Sequence, residues 1–279
     1  MTQAVTITGD PEPDQQPPRW DGYVGLYEEV FEPLTQRWST AAIDALALQP
    51  QSRVLDSAAG AGGAALELAR RGHRVTAIDA SPAMVARTKE RAQATGLMIE
   101  ALTMDGQDLA FSDASFDAAI SVLGVILFPD AVRGLSELRR VVRPGGPIAL
   151  VTWTAPEAYE LVGELRAAAL SVLGSLPARP LPAQLRFKDK HDFQGLFAAA
   201  GLPTAEISEV NAELVVPSPA WLADRVAFAP GMTALLEGFG GARAHVIAGF
   251  RKRLETLRGA GRISLSARAY LGLATIRHT

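Results

Sequence analysis

Three acids, each at the end of an apolar run, are the positions where this chain could do chemistry together. Asp56 closes the run Val54-Leu55, and the small-residue loop Ser57-Ala58-Ala59-Gly60-Ala61-Gly62-Gly63 follows before a helical pattern over 64–71. Glycine and alanine in such a turn let a ligand approach the backbone closely. The N–H groups at the start of the following helix then face a polar ligand. Asp79 closes a second apolar run (75–78), nineteen residues after Gly60. A carboxylate there can accept from both ribose hydroxyls of an adenosine held on the loop. A third acid, Asp105 of Met104-Asp105-Gly106-Gln107, suits an adenine amino group. Two strands, a small-residue loop and an acid at about 20 residues make a nucleoside-cofactor site.

The elements that must position these residues alternate strand and helix. Ser81-Pro82 opens a helix, with serine as cap and proline at the first helical position. Met84, Val85 and Thr88 form its inner face, Met84 packing in the core or against adenine, and the charged run 87–91 reads as a solvated face. A third strand covers 99–104. The run 116–123 reads as a strand buried on both faces, as parallel strands between helices are, and it ends at Ser121, Val122 and Leu123, where ligands of open α/β sheets bind. Asp130 caps a helix with Val132, Leu135, Leu138 and Val142 turned inward, and 148–153 is strand five, ending at Trp153. Beyond it come an amphipathic helix over 157–174 with Leu161, Leu165, Ala168 and Val172 inward, a proline-rich loop (177–182), a helix over 189–201 and a strand over 204–216. A helical stretch over 217–262 and a last strand over 266–277 complete the pattern. At the other end, 1–19 is rich in proline and charge and reads as a disordered tail. Trp20, Tyr23, Tyr27 and Phe31 then recur at helical spacing, and a further helix covers 40–48.

Gly60, Gly62 and Ala65 also fit G-x-G-x-x-G/A, so a nicotinamide dinucleotide is a second reading of the loop. Asp56 opposes it, because a pyrophosphate gains nothing from a carboxylate beside it, and no Tyr-x-x-x-Lys pattern is present. The stretch 138–153, L-R-R-V-V-R-P-G-G-P-I-A-L-V-T-W, is a helix end, a Pro-Gly-Gly turn and a buried strand. With the three acids it resembles the class I S-adenosylmethionine-dependent methyltransferases over roughly residues 20–215. The family's first motif is usually D-x-G-x-G-x-G. Here Asp56 to Gly62 carries it, with Ala58 where the family usually has its first glycine.

The resemblance implies an α/β fold, a doubly wound Rossmann-like seven-stranded sheet, mostly parallel with an antiparallel last strand, and S-adenosyl-L-methionine as cofactor. It implies cofactor contacts from Tyr23, Asp56, Ala58, Ala59, Gly60, Gly62, Asp79, Ala80, Met84, Asp105, Gly106, Gln107, Ser121 and Val122. One domain over 20–279 is expected, with helical insertions at about 155–187 and 217–262 roofing the site. Under that lid Leu123, Phe128, Trp153, Trp221 and Phe228 are the candidates to meet a small, largely apolar substrate. Tyr27 is the one side chain nominated for a polar, catalytic role at the reacting centre. Methyl transfer needs an aligned nucleophile and exclusion of water more than it needs a base. A protein of this fold that binds or cyclises its substrate without methyl transfer is the alternative.

Bulk properties narrow the class. With 279 residues, 48% of them hydrophobic, and a net charge of −3, the chain fits one large domain and lacks the basic face of a general nucleic-acid binder. It has no cysteine, hence no disulfide and no thiolate metal site. No metal is expected, since neither a His-Asp pair nor a metal-ligand spacing occurs. His73, His191, His245 and His278 read as turn, surface or terminal residues, and Arg251-Lys252-Arg253 as a solvated helix face. No apolar run reaches membrane-spanning length and no signal peptide is evident. A cytoplasmic protein, monomer or homodimer, acting on a small molecule without nucleic-acid or membrane partners, is the expectation.

Overall fold

The computed structural model describes residues 12–176 and 182–277. Seven strands form one sheet in the order β3-β2-β1-β4-β5-β7-β6. They are β1 (Arg53–Ser57), β2 (Arg74–Asp79), β3 (Ile99–Thr103), β4 (Ala118–Val122), β5 (Pro147–Trp153), β6 (Glu206–Val216) and β7 (Ile263–Thr275). The first five are parallel, with Val54 opposite both Val75 and Ala118. β7 runs antiparallel to both its neighbours, β5 and β6. Strand order reverses between β1 and β4, the point at which doubly wound sheets bind ligands beyond their carboxyl ends.

The helices, in chain order, begin with two short turns, α1 (Pro17–Trp20) and α2 (Val24–Leu26), then α3 (Glu32–Ala45), α4 (Gly63–Arg70), α5 (Pro82–Thr95) and α6 (Ala131–Val141). Then come α7 (Glu160–Leu173), α8 (Lys190–Ala199), α9 (Pro219–Asp224), α10 (Pro230–Glu237) and α11 (Arg243–Arg258). Local chemistry sets their ends. The Ser81 hydroxyl accepts from the Met84 N–H at 3.2 Å, and Gly96, at φ 67°, closes α5 in the left-handed region. Asp130 accepts from the Arg133 N–H at 2.9 Å to start α6. Trp38 of α3, Phe193 and Phe197 of α8, and Phe250 of α11 are wholly buried.

Several expectations change. The stretch read as a tail belongs to the fold from residue 12 onward: Pro13–Gln15 forms a 3₁₀ turn with Asp14 and Gln15 buried. The Trp20-to-Phe31 stripe is not one helix, and its last part, Tyr27–Phe31, is a π-helical turn running directly into α3, which also takes in the helix read over 40–48. The wider π turn sets Tyr27 and Phe31 at angles a regular helix would not, a device common at functional sites. The helical stretch 217–262 consists of three helices joined by tight turns. Val132 and Val172, expected inward, are 36% and 41% exposed, because the neighbouring small residues Ala131, Ala168 and Ala169 take the buried positions. Residues 1–11, most of the proline-rich loop (177–181) and His278 lie outside the described residues.

Candidate functional site

The loop after β1 turns by three left-handed residues: Ala58 (φ 55°), Gly60 (φ 56°) and Gly62 (φ 85°). For a residue with a Cβ, as at Ala58, this costs roughly 1–2 kcal/mol. Leu123, at the end of β4, is left-handed too (φ 59°), so strain sits at the ends of both strands flanking the reversal. The two ends are fitted to each other, since a Cβ on Gly124 would overlap the Cβ of Ala58.

Asp79 ties the loop to β2. Its carboxylate accepts from the Gly60 N–H at 2.8 Å and the Ser81 N–H at 2.9 Å. Burial holds its pKa above the usual carboxylate value. The Asp105 carboxylate accepts from the Gln107 N–H at 2.9 Å, and the Gln107 side-chain oxygen accepts from the Asp130 N–H at 2.9 Å. Asp56 is 2% exposed, and burial pushes it up to about 7. Its Oδ2 lies buried without a partner, beside a polar cavity of about 20 Å³ lined by Tyr27, Glu32, Thr35 and Gln36. That is the size of a single water.

The loop is also braced from behind. The Thr88 hydroxyl donates to the Gly60 carbonyl at 3.1 Å, and Arg91 donates to the Ala61 carbonyl at 2.7 Å. The same Arg91 nitrogen donates to both oxygens of Glu32 at 2.8 and 2.9 Å. Alongside, Arg87 pairs with Glu28 at 2.6 Å. The charged run 87–91 is therefore not simply a solvated face: half of it joins α5 to α3 and the loop. Arg251 and Arg253 pair with Glu255 and Glu164.

All of this opens onto one cavity of about 1110 Å³. At its polar end are Ala58, Gly60, Asp79, Ala80, Asp105 and Gln107, with Met84, Gly106 and Val122 beside them. Its other end is apolar. Tyr159, Trp153, Phe31 and Phe228 form a continuous stack there, with centroid separations of 5.1, 5.8 and 5.2 Å and interplanar angles of 20°, 25° and 21°. Leu123 and Phe128 also line it, the Phe128 ring lying against Gly106. Both insertions contribute to the walls, through residues such as Val162 and Leu185 from the first and Met232 and Leu235 from the second. The N-terminal segment contributes Asp14 and Trp20. Tyr27 packs its hydroxyl against Gly60. Burial first, then Glu32, raises its pKa, so the phenol stays protonated.

Six candidates stand away from this cavity. Trp221 lies outside it, with the Arg225 guanidinium over its ring at 4.7 Å. Its ring packs against the core instead of lining the cavity. Tyr23 donates from its hydroxyl to Thr233 at 2.8 Å, joining the N-terminal segment to α10. Ser121 is buried, donating to the Ser57 carbonyl at 2.8 Å and accepting from the Val125 N–H at 3.1 Å. Gly62 faces α5, where a Cβ would strike Thr88. Asp56 and Ala59 border the small polar cavity beneath the loop and not the large one. His191 and His245 are exposed. Among residues unforeseen at the site, Phe31, Tyr159 and Arg166 line the cavity; only the helical stripe of aromatics gave any sign of Phe31.

The fit to an adenosyl amino acid can be judged on these residues. Acids at the ends of β1 and β2 and just beyond β3 supply acceptors for a diol and an amino group. Gly60 leaves the loop backbone approachable, and Met84 with Phe128 offers flat apolar walls. The orphaned Asp56 oxygen is an acceptor suited to an ammonium reached through one water. The donor set fits the group.

Residues 54–146 match the family described as methyltransferase domain. An uncharacterised protein of Mycobacterium tuberculosis (strain H37Rv) is 35% identical over 160 residues, 57% of this chain and 57% of that protein. A demethylmenaquinone methyltransferase of Beutenbergia cavernae is 40% identical over 119 residues, 43% of this chain and 48% of that protein. The chain thus spans about half the length of the curated relatives it matches. Among solved structures, phosphoethanolamine N-methyltransferase 2 of Haemonchus contortus, in complex with phosphomonomethylethanolamine and S-adenosylhomocysteine, superposes with a TM-score of 0.57 at 16% identity, covering 92% of this chain and 58% of that one. At that identity the likeness is one of fold. No helix among the described residues is long and apolar enough to cross a membrane. Residues 54–146 thus match a methyltransferase domain in sequence, and the sheet as a whole resembles solved methyltransferases in fold.

Proposed function

We propose that the chain binds S-adenosylmethionine at the polar end of the cavity and transfers its methyl group to a small, largely apolar substrate at the aromatic end. The observation carrying this is the shared cavity, in which the acid-ended strands β2 and β3 meet a wall of stacked rings. The bound cofactor supplies an electrophilic methyl group on a sulfonium. The protein's own residues have other tasks. Asp79 holds the ribose hydroxyls, Asp105 and Gln107 the adenine edge, and Met84 and Phe128 its faces. Tyr27 offers a hydroxyl beside the loop, and the aromatic stack with the two insertions excludes water. The demethylmenaquinone methyltransferase relatives favour a planar, quinol-like ring as the acceptor. Calorimetric titration with S-adenosylhomocysteine should give a micromolar Kd, about −8 kcal/mol. Absence of heat with this ligand, together with clear binding of a nicotinamide dinucleotide, overturns the reading.

Asp79→Ala should lower affinity for S-adenosylhomocysteine by about 10- to 100-fold, the worth of hydrogen bonds to a charged acceptor, with circular dichroism unchanged. A variant that binds like the parent would remove Asp79 from the site.

The insertions act as a lid. Hydrogen exchange over 217–262 should be faster than in β1 and β5 in the free protein and slow when ligands are bound, as for segments that close over a site. Equal protection with and without ligand would make this stretch fixed core.

A further inference from the structure

We propose that the substrate is a lipophilic acid whose anionic group is held by Arg166 at the mouth of the cavity. This rests on the methyltransfer reading above and names the substrate class for the same site. Three observations carry it. First, Tyr159, Val162 and Arg166 all line the cavity. They stand at helical spacing across the start of α7, so one face of that helix looks onto the void. Second, Arg166 is the one basic side chain among the described residues lining the cavity; the other charged ones there are Glu12, Asp14, Asp79 and Asp105. An anion is repelled from those positions and attracted only at Arg166. Third, Arg166 has no carboxylate of its own among the described residues. The two acids of α7 are turned away and engaged. Glu164 pairs with Arg253 at 2.8 Å, and Glu160 pairs with Arg258 and accepts from the Ser266 N–H at 2.9 Å. Three acids of the wall are occupied elsewhere: Asp14 accepts from the Gly231 N–H at 2.7 Å, Asp79 from the Gly60 N–H and Asp105 from the Gln107 N–H.

The body of such a ligand is set by the wall. Trp153, Phe31 and Phe228 present near-parallel rings, which favour a flat apolar group. A guanidinium fork at the rim suits a carboxylate, with two parallel N–H donors. The substrate therefore lies with its ring inward beside the methyl donor and its charge outward, half in water, where Arg166 is exposed.

A pair of probes of equal shape separates charge from packing: 2-naphthoate and 2-naphthamide, titrated into the full chain saturated with S-adenosylhomocysteine. The parent should bind the acid about tenfold more tightly than the amide, a preference that shrinks with added salt. Arg166→Gln should abolish the preference by weakening the acid alone, and Arg166→Lys should restore part of it. Equal binding of acid and amide by the parent, an unchanged preference in Arg166→Gln, or binding of neither probe overturns the proposal. Titration of S-adenosylhomocysteine into the same proteins reads the cofactor site separately. Its failure with the naphthoate preference intact would remove the methyltransfer reading and leave the acid site standing.

Discussion

Replacing Arg91 with methionine should destabilise the protein by about 3 kcal/mol and weaken S-adenosylhomocysteine binding roughly tenfold. Breaking a buried ion pair from one side leaves an uncompensated charge, at about 3–5 kcal/mol. Partial exposure of this pair, 23% for the Arg91 side chain and 10% for Glu32, places the expected value at the low end. The loss is threefold in kind. Glu32 keeps its charge without a partner, the Ala61 carbonyl loses its donor, and the cofactor loop loses a strut. The sign of the pH dependence follows. Burial already raises the Glu32 pKa against the opposing pull of Arg91. Without Arg91 it rises further, so the penalty is present above that pKa and is lost as the pH falls through it. The deficit of the variant, measured by urea unfolding, should shrink as the pH is lowered from 7 towards 5. Arg87→Met, in the same run, is the control: Arg87 is 40% exposed and its partner Glu28 keeps Arg91 at 3.4 Å, so the loss should stay at about 1 kcal/mol. Equal costs for the two variants would mean that the Arg91 pairing is a surface feature without consequence for the loop.

Gly124→Ala should be nearly as damaging, and for a steric reason alone. Gly124 has φ −90° and ψ −62°, a conformation alanine adopts freely. The new methyl, however, overlaps the Cβ of Ala58 and comes within 2.7 Å of the Ser121 hydroxyl. Overpacking of this kind costs typically 1–3 kcal/mol, and the loop can give way only by moving the backbone that faces the cavity. Affinity for S-adenosylhomocysteine should fall more than about tenfold, by the same few kcal/mol. Ala58→Gly removes the opposing methyl and lets a glycine take the left-handed turn. By itself it should be close to neutral, since relief of roughly 1–2 kcal/mol of strain is offset by about 0.5–1 kcal/mol of glycine entropy. In the double variant it should restore binding. A double-mutant cycle showing simple additivity would mean that the two strand ends are not coupled.

These two cases mark where reading the sequence succeeds and where it stops. The loop Asp56 to Gly62 and the acid Asp79 are legible because strand, turn and helix follow each other within a few residues, and local patterning carries them. The partnership of Arg91 with Glu32 spans 59 positions. Along the sequence, Arg91 is one charge among several on an amphipathic helix, where a solvated face is the ordinary reading. Ala58 looks like a departure from the family's loop until Gly124, 66 positions later, is seen to make room for it. Trp221, large and within an insertion, reads from the sequence as a substrate contact. Its ring is spent on Arg225 instead, while Phe31 and Tyr159 supply the rings at the cavity. Residues 12–19 lack apolar periodicity, yet they are ordered by specific polar contacts, such as the Asp14 carboxylate on the Gly231 N–H, which no periodicity records.

The place of β7 in the sheet carries a consequence for how the molecule is made. It is the last strand in the chain, yet it lies inside the sheet, between β5 and β6. As the polypeptide leaves the ribosome, β6 is complete while its one neighbour in the finished sheet has still to be translated, some fifty residues later. During that interval the growing chain displays two open edges: the outer side of β5, with its run Ile148 to Val151, and the whole of β6. Only insertion of the final strand, pairing Pro147 with Thr275 on one side and Val216 with Ile263 on the other, closes both at once. A nascent chain that has emerged only as far as α11 would therefore hold a sheet in two pieces, the state most exposed to capture by chaperones or by another copy of itself.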